Sequence, residues 1–232
     1  MKYVSIDLET TGLDPENCQI LSFSAILEDT NNPLSYEDSA KLNVYILRES
    51  LNGSFFALNM NREIITTINN YLVIRKNDEA RINMMRDTKS IFLYEKHLRF
   101  YFQIWLAVHL EGKKDYEVYL DPICWVNNDS IKNTIRDILV KIKPATQKIN
   151  VAGKNFAGFD KKFIDKLEGF YDHVIFRQRV LDPSVLLVDW TNDETLPDLL
   201  TCKERSNISG EVTHESLSDA WDVIQVFRNF YK

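Results

Sequence analysis

Residues 2–9 alternate, with Val4, Ile6 and Leu8 on one side and Tyr3, Ser5, Asp7 and Glu9 on the other, the period of two that marks a strand. Thr10-Thr11-Gly12 break it. Runs at 20–27 and 42–47 are rich in apolar and β-branched residues and are separated by polar turn material around Asn31-Asn32-Pro33, so the chain opens with a predicted three-stranded antiparallel meander. The period then changes. Ile64, Ile65, Ile68, Tyr71 and Leu72 recur at helical spacing behind Asn61, the expected N-cap. From 76 to 127 a charged stretch gives way to Phe92, Leu93, Phe100, Ile104 and Leu110 and then to a strand-like run at 117–125, which predicts one or two helices plus an extended segment. Asp129-Ser130 cap a helix whose face carries Ile131, Ile135, Ile138, Leu139 and Ile142 before Pro144 stops it. A strand at 148–152, a helix at 156–167, a strand at 174–181 and a closing helix at 215–231 follow. Antiparallel strands followed by alternating strands and helices imply an α/β domain, a mixed sheet with helices on its faces.

Composition narrows the class. At 232 residues and 44% hydrophobic, the chain is long enough for a real core and fits one domain, or one domain carrying an insertion. Lys and Arg total 28 against 34 Asp and Glu, a net charge of −6, so bulk positive charge does not hold a polyanion here. If one binds, something other than lysine neutralises it. The three cysteines, Cys18, Cys124 and Cys202, have no C-x-x-C spacing and read as small buried hydrophobes rather than a disulfide framework. An acid at position 7 interrupts what a signal peptide would need to be apolar, and the apolar run at 100–110 is too short for a bilayer span. The chain is therefore expected to be cytoplasmic, with no membrane partner.

Several acids sit where acids are costly. Asp7 and Glu9 leave one face of a strand two residues apart, a pairing that also occurs on solvated sheet faces. Asp160 has Phe163, Ile164 and Leu167 at +3, +4 and +7, which places it on a buried stripe, either neutralised by protonation, paired with a lysine or arginine, or bound to a metal. Asp219 shares a stripe with Val223, Val226 and Phe230. His214 can face the same point as Asp219 only if it lies in the loop or first turn ahead of that helix. Taken together, Asp7, Glu9, Asp160 and Asp219 are four hard oxygen donors suited to Mg²⁺ or Mn²⁺, and His214 is of the residue type that can take a proton from a metal-bound water. That is a set of parts for phosphoryl hydrolysis with two divalent ions, which would also supply the missing counter-charge.

Three blocks, residues 7–15 (Asp-Leu-Glu-Thr-Thr-Gly-Leu-Asp-Pro), 155–160 (Asn-Phe-Ala-Gly-Phe-Asp) and 214–220 (His-Glu-Ser-Leu-Ser-Asp-Ala), resemble in order the three exonuclease motifs of the DEDDh family of 3′→5′ exonucleases. Residues 57–61 loosely resemble a segment of some bacterial and phage members. The resemblance implies a ribonuclease H-like sheet and a single exonuclease domain over 1–232, with residues 76–127 as an insertion. It implies that Asp7, Glu9 and Asp219 hold one metal, that Asp7 helps hold a second, that Asp160 supports the site and that His214 is the general base. Thr10, Leu13 and Asn155 match positions that contact the terminal nucleotide, Leu13 as an apolar wedge beside the last base. Ser216 and Val223 depart from the family's common Ala and Thr, and Asp222 is an extra acid that could be mistaken for the ligand. The expected partner is the 3′ end of single-stranded DNA or RNA; the sequence leaves the sugar preference open, and the oligomeric state too, a homodimer included.

Other readings fail on single residues. Gly153 and Gly158 have the spacing of a phosphate loop, but Phe159-Asp160 replace its Lys and Ser or Thr, and Ser218 stands where a zincin would have its second histidine. His97, His109 and His173 lack complementary spacing and are expected to be surface or packing residues. Asp182 before Pro183 reads as an N-cap, and Tyr101 and Trp105 as core. A catalytically silent nucleic-acid or protein-binding module on the same fold is the competing class.

Overall fold

The computed structural model describes residues 1–141 and 148–231, so the expected contribution of Ile142 and the stop at Pro144 lie outside the described residues. β1 (Lys2–Thr10), β2 (Ile20–Asp29) and β3 (Lys41–Leu47) form the antiparallel meander. β5 (Lys148–Ala152) and β6 (Ile175–Leu181) extend the sheet in parallel from β1. On the opposite edge β4 (Ile91–Tyr94), too short to show a period in the sequence, pairs in parallel with β3. The six strands run in the order β4-β3-β2-β1-β5-β6. This is the expected α/β architecture, a mixed sheet flanked by helices.

β1 lies near the middle, and its alternation separates two cores rather than core from solvent. Val4, Ile6 and Leu8 join the larger core, while Tyr3 is buried on the other face with Ala220, Val223, Ile224 and Phe227 of α9 (Ser216–Arg228). The larger core is built on α4 (Glu95–His109), whose stretch from His97 to Val108 is nearly all buried. Its Phe102 meets Phe23 of β2 edge to face, with centroids 5.1 Å apart. Each such ring contributes roughly 1.5–3 kcal/mol by leaving water. The apolar run at 100–110 is thus a core helix, Tyr101 and Trp105 are core as expected, and no helix among the described residues is long and apolar enough to cross a membrane. α2 (Arg62–Val73) buries Ile64, Ile68 and Tyr71, the last stacked on Phe92 at 4.2 Å. α3 (Asp78–Thr88) buries Met85, and α5 (Asn128–Lys141) buries Ile131, Thr134 and Ile138.

Three local expectations change. The stretch at 117–125 forms two short 3₁₀ turns, Lys114–Leu120 and Pro122–Trp125, instead of a strand. Pro122 cannot donate to a ladder, Asp121 accepts the Ile123 N–H, and the Trp125 indole closes the turn onto the Tyr119 carbonyl at 2.7 Å. The helix at 156–167 shrinks to α6 (Asp160–Ile164), because Asn155 adopts φ +56° and the chain turns through 153–159 before it can wind. The closing helix stops at Arg228, which reaches back to Glu28 of β2 through two bonds of 2.9 and 2.7 Å, leaving Phe230 exposed. α1 (Phe55–Met60), α7 (Pro183–Leu187) and α8 (Leu199–Arg205) complete the fold. Asp182 caps α7 by accepting from the Ser184 N–H, as its position before proline predicts.

Candidate active site

The acids meet at the C-terminal end of β1. β5 pairs with β1 only at Val4 and Ser5, so beyond them that side of β1 is open, and the backbone N–H of Leu8 needs another acceptor. Asp160, the first residue of α6, supplies it, its Oδ1 accepting from the Leu8 N–H at 3.1 Å. This bond fixes the carboxylate beside Asp7 and Glu9, and among the described residues no lysine or arginine pairs with it. The β1–β2 register shifts between Glu9 and Thr10, and Thr10, Gly12 and Leu13 line the cleft.

From the other side comes α9. Asp219 sits in its first turn, buried, with Oδ1 lacking any hydrogen-bond partner among the described residues. His214 precedes the helix in an exposed loop at φ +52°, so the condition for it to face Asp219 is met. One ligand atom each from Glu9, His214 and Asp219 lie within 4.8 Å of one another, a grouping able to hold a metal ion. Asp7 and Asp160 fall outside that trio but line the same cleft of about 500 Å³.

Electrostatics show what the cluster lacks. Burial, then the charges of Asp160, Asp219 and Glu9, push the Asp7 carboxyl far above the usual range. Glu9 rises to about 8 through burial and Asp219, relieved in part by a hydrogen bond from Asn61. Asp160 rises to about 7 through burial, against the opposing pull of its backbone hydrogen bonds. Asp219 rises to about 7 through burial and Asp222. Four carboxyls that all hold their protons too tightly are a site in need of positive charge. Among the described residues Lys154 is the only lysine or arginine lining the cleft, and it pairs there with no acid.

The three positions expected to meet the terminal nucleotide also line this cleft. Leu13 is 85% exposed at the rim, whereas the buried Thr10 donates its hydroxyl to the Gly12 carbonyl at 2.8 Å. Asn155 anchors its strained turn by donating its backbone N–H to Asp182 at 2.9 Å. Ser216, one of the departures from the family pattern, fits the helix onto the sheet: its hydroxyl lies 2.8 and 2.7 Å from those of Ser22 and Ser24. Of the remaining histidines, His97 is buried, its ring pushed down to about 4 by burial and by nearby Lys96 and Arg99.

Asn61 stands at the N-cap position of α2, as expected, but its side chain is used elsewhere. Its side chain makes no capping bond; instead its amide donates to the Thr10 carbonyl at 3.1 Å and reaches Glu9. The loose family likeness at 57–61 was the only sequence signal for that position. Lys154 and Phe56, which line the cleft, carried no signal of their own.

No protein-family model matches the sequence, and no curated protein matches it. Among solved structures the chain is similar to Escherichia coli exonuclease I in complex with a dT13 oligonucleotide, at 14% identity and TM-score 0.50, covering 98% of this chain and 40% of that one. It is likewise similar to the zinc-ion-bound form of an E. coli exonuclease I–ssDNA complex, at 15% identity and TM-score 0.50, covering 98% and 39%. The chain spans about two-fifths of the length of those structures. At such identity the likeness is one of fold, and it assigns the mixed sheet to the ribonuclease H-like class.

Proposed function

We propose that the chain is a metal-dependent 3′→5′ exonuclease that hydrolyses phosphodiester bonds at the 3′ end of single-stranded DNA or RNA and releases 5′-mononucleotides. The observation that carries this reading is convergence: three sequence blocks about 150 and 60 residues apart bring four acids and a histidine to one cleft. That the similar E. coli structures are exonuclease complexes with single-stranded DNA supports the choice of substrate.

The residues present fit divalent ions. Asp219 Oδ1 is buried without a partner among the described residues, and carboxyls raised to about 7 and 8 would ionise readily beside a cation. Asp7, Glu9 and Asp219 would hold one Mg²⁺ or Mn²⁺, Asp7 would help hold a second, and Asp160 would support the site. Bound there, the ions supply counter-charge and Lewis acidity for phosphoryl transfer. His214, exposed at the rim, takes the proton from the attacking water through a ring nitrogen. Leu13 and Thr10 orient the terminal nucleotide from the β1 side, and Asn155 does so from the α6 side. The Leu8–Asp160 bond keeps β1 and α6 in register while this happens.

Digestion of 3′-labelled and 5′-labelled oligomers with Mg²⁺, Mn²⁺ or EDTA tests the reading. The 3′ label should leave at once as a mononucleotide, the 5′ label should shorten stepwise, and EDTA should stop both. Asp160→Ala should fold and lose most turnover. Inertness with every metal would leave a silent binding module instead.

A further inference from the structure

The loop that presents His214 carries a strained residue on few supports. His214 sits at φ +52°, a backbone conformation that persists only where the surroundings hold it. Among the described residues three hydrogen bonds fix the chain between Ile208 and Thr213. The Ile208 N–H donates to the Lys203 carbonyl at 2.9 Å, and the Thr213 N–H bonds the Asp219 carboxylate. Between them Gly210 turns the chain at φ +106°, and the Glu211 carbonyl accepts from Lys203 Nζ at 3.0 Å. Val212 adds packing against the smaller core. Two of the three bonds thus come from one residue of α8.

Lys203 is a poor choice if its only task is to hold α8 on α9. It is 3% exposed, and its ammonium is neutralised by the buried Asp222 at 2.5 Å. A buried ion pair of this kind stabilises a fold little more than a packed apolar pair of the same size, and often less. An apolar pair cannot, however, donate to the Glu211 carbonyl.

We propose that Lys203 is a positioning residue for His214: with Asp222 fixing its ammonium in place, it holds the Glu211 carbonyl and so sets where the His214 ring meets the attacking water. The inference rests on the exonuclease reading. A general base works only within hydrogen-bond reach of the proton it takes, about 2.6–3.2 Å between heavy atoms, and Glu211 lies three residues ahead of His214. A loop released to drift by about 1 Å would slow proton transfer while the acids stay where they are. Lys203 lines no part of the cleft, so it acts through the loop and not on the substrate. Asp222 and Lys203 also bear on the Asp219 carboxyl, the first raising and the second lowering its hold on a proton, so removing both together partly cancels that influence.

The double change Lys203→Met with Asp222→Leu removes the donor and strands no charge. With a single-stranded DNA oligomer and Mn²⁺, its kcat should fall by up to about 100-fold at an unchanged KM, and half-saturation should come at the wild-type Mn²⁺ concentration. Added to His214→Gln, the same double change should lower kcat no further, because no base remains to be positioned. Amide hydrogen exchange should speed up at 209–212 and stay unchanged in β1. Gly210→Ala approaches the loop from its other side: it places a side chain at φ +106° in an exposed turn, leaves Lys203, Asp222 and the acids in place, and should give the same kind of kcat loss with little change in Tm. Wild-type kcat in both variants, an equal loss from the double change with and without His214, or a shifted Mn²⁺ requirement would overturn the positioning role while leaving the exonuclease reading intact. A wild type that cuts no oligomer removes both.

Discussion

Asp219→Asn should stabilise the metal-free protein at pH 8, although it removes a residue on which activity is expected to depend. Burial and the neighbouring Asp222 lift the Asp219 carboxyl from 3.8 to about 7. The folded protein then holds this proton more tightly than the unfolded chain, so stability falls as pH rises from about 4 to about 7, and above that the full penalty is present. The difference in acid strength corresponds to about 4 kcal/mol. That figure is an upper bound, because Asp7, Glu9 and Asp160 draw on the same repulsion and relieve it by protonating. For a chain of this size 1 kcal/mol moves Tm by roughly 2–4 °C, so the variant in EDTA should melt roughly 4–10 °C above wild type near pH 8 and almost level with it near pH 4. Thermal melts across that range check this. Mg²⁺ or Mn²⁺ should raise the wild-type Tm most at the alkaline end and the variant's much less. An Asp219→Asn protein that melts below wild type at both pH values in EDTA would show that the acids are not repelling one another.

His214→Gln should lower kcat about 10²- to 10⁴-fold with little change in KM and flatten the acid limb of the pH–rate profile, as loss of a general base does; a profile unchanged in shape would remove His214 from proton transfer. Lys203→Met should destabilise by about 3–5 kcal/mol in urea unfolding, because it strands the Asp222 charge inside the protein, and the double change Lys203→Met with Asp222→Leu should recover most of that loss. A double variant no more stable than the single one would mean that the pair is not held together by charge.

Much of the site was legible because motif residues carry their chemistry in type and spacing. The acids of 7–15 and 155–160 were readable from strand alternation and from a carboxylate placed on an apolar stripe. The stripe argument worked for Asp160 even though most of its helix does not exist, since the five residues of α6 suffice to set the face. Short elements were not legible. β4 has four residues and α1 six, fewer than a period needs to declare itself, and both are fixed by what they pack against. At Asn61 the N-cap position was legible but the task of the side chain was not, because only the approach of α1 to the Thr10 carbonyl turns its amide there. The strand-like run at 117–125 alternates well enough, but Pro122 and the Asp121 side chain that accepts the Ile123 N–H commit it to a turn.

Asp219 and Asp222 differ in whether they have a charged partner. Both are buried on α9 at 6% exposure. Lys203 of α8, itself 3% exposed, donates to Asp222 at 2.5 Å and to the Glu211 carbonyl at 3.0 Å, so the one buried ammonium beside the helix is already committed. The second of those bonds ties α8 to the 206–215 loop that presents His214. Asp219, one turn earlier, keeps an oxygen free, faces Glu9 and His214, and is left with a raised affinity for protons. Two acids three residues apart therefore divide the work: Asp222 has its charge neutralised from within and braces the helix and loop, and Asp219 has its charge left open to the cleft, where a cation would lower its energy and that of its three neighbours together.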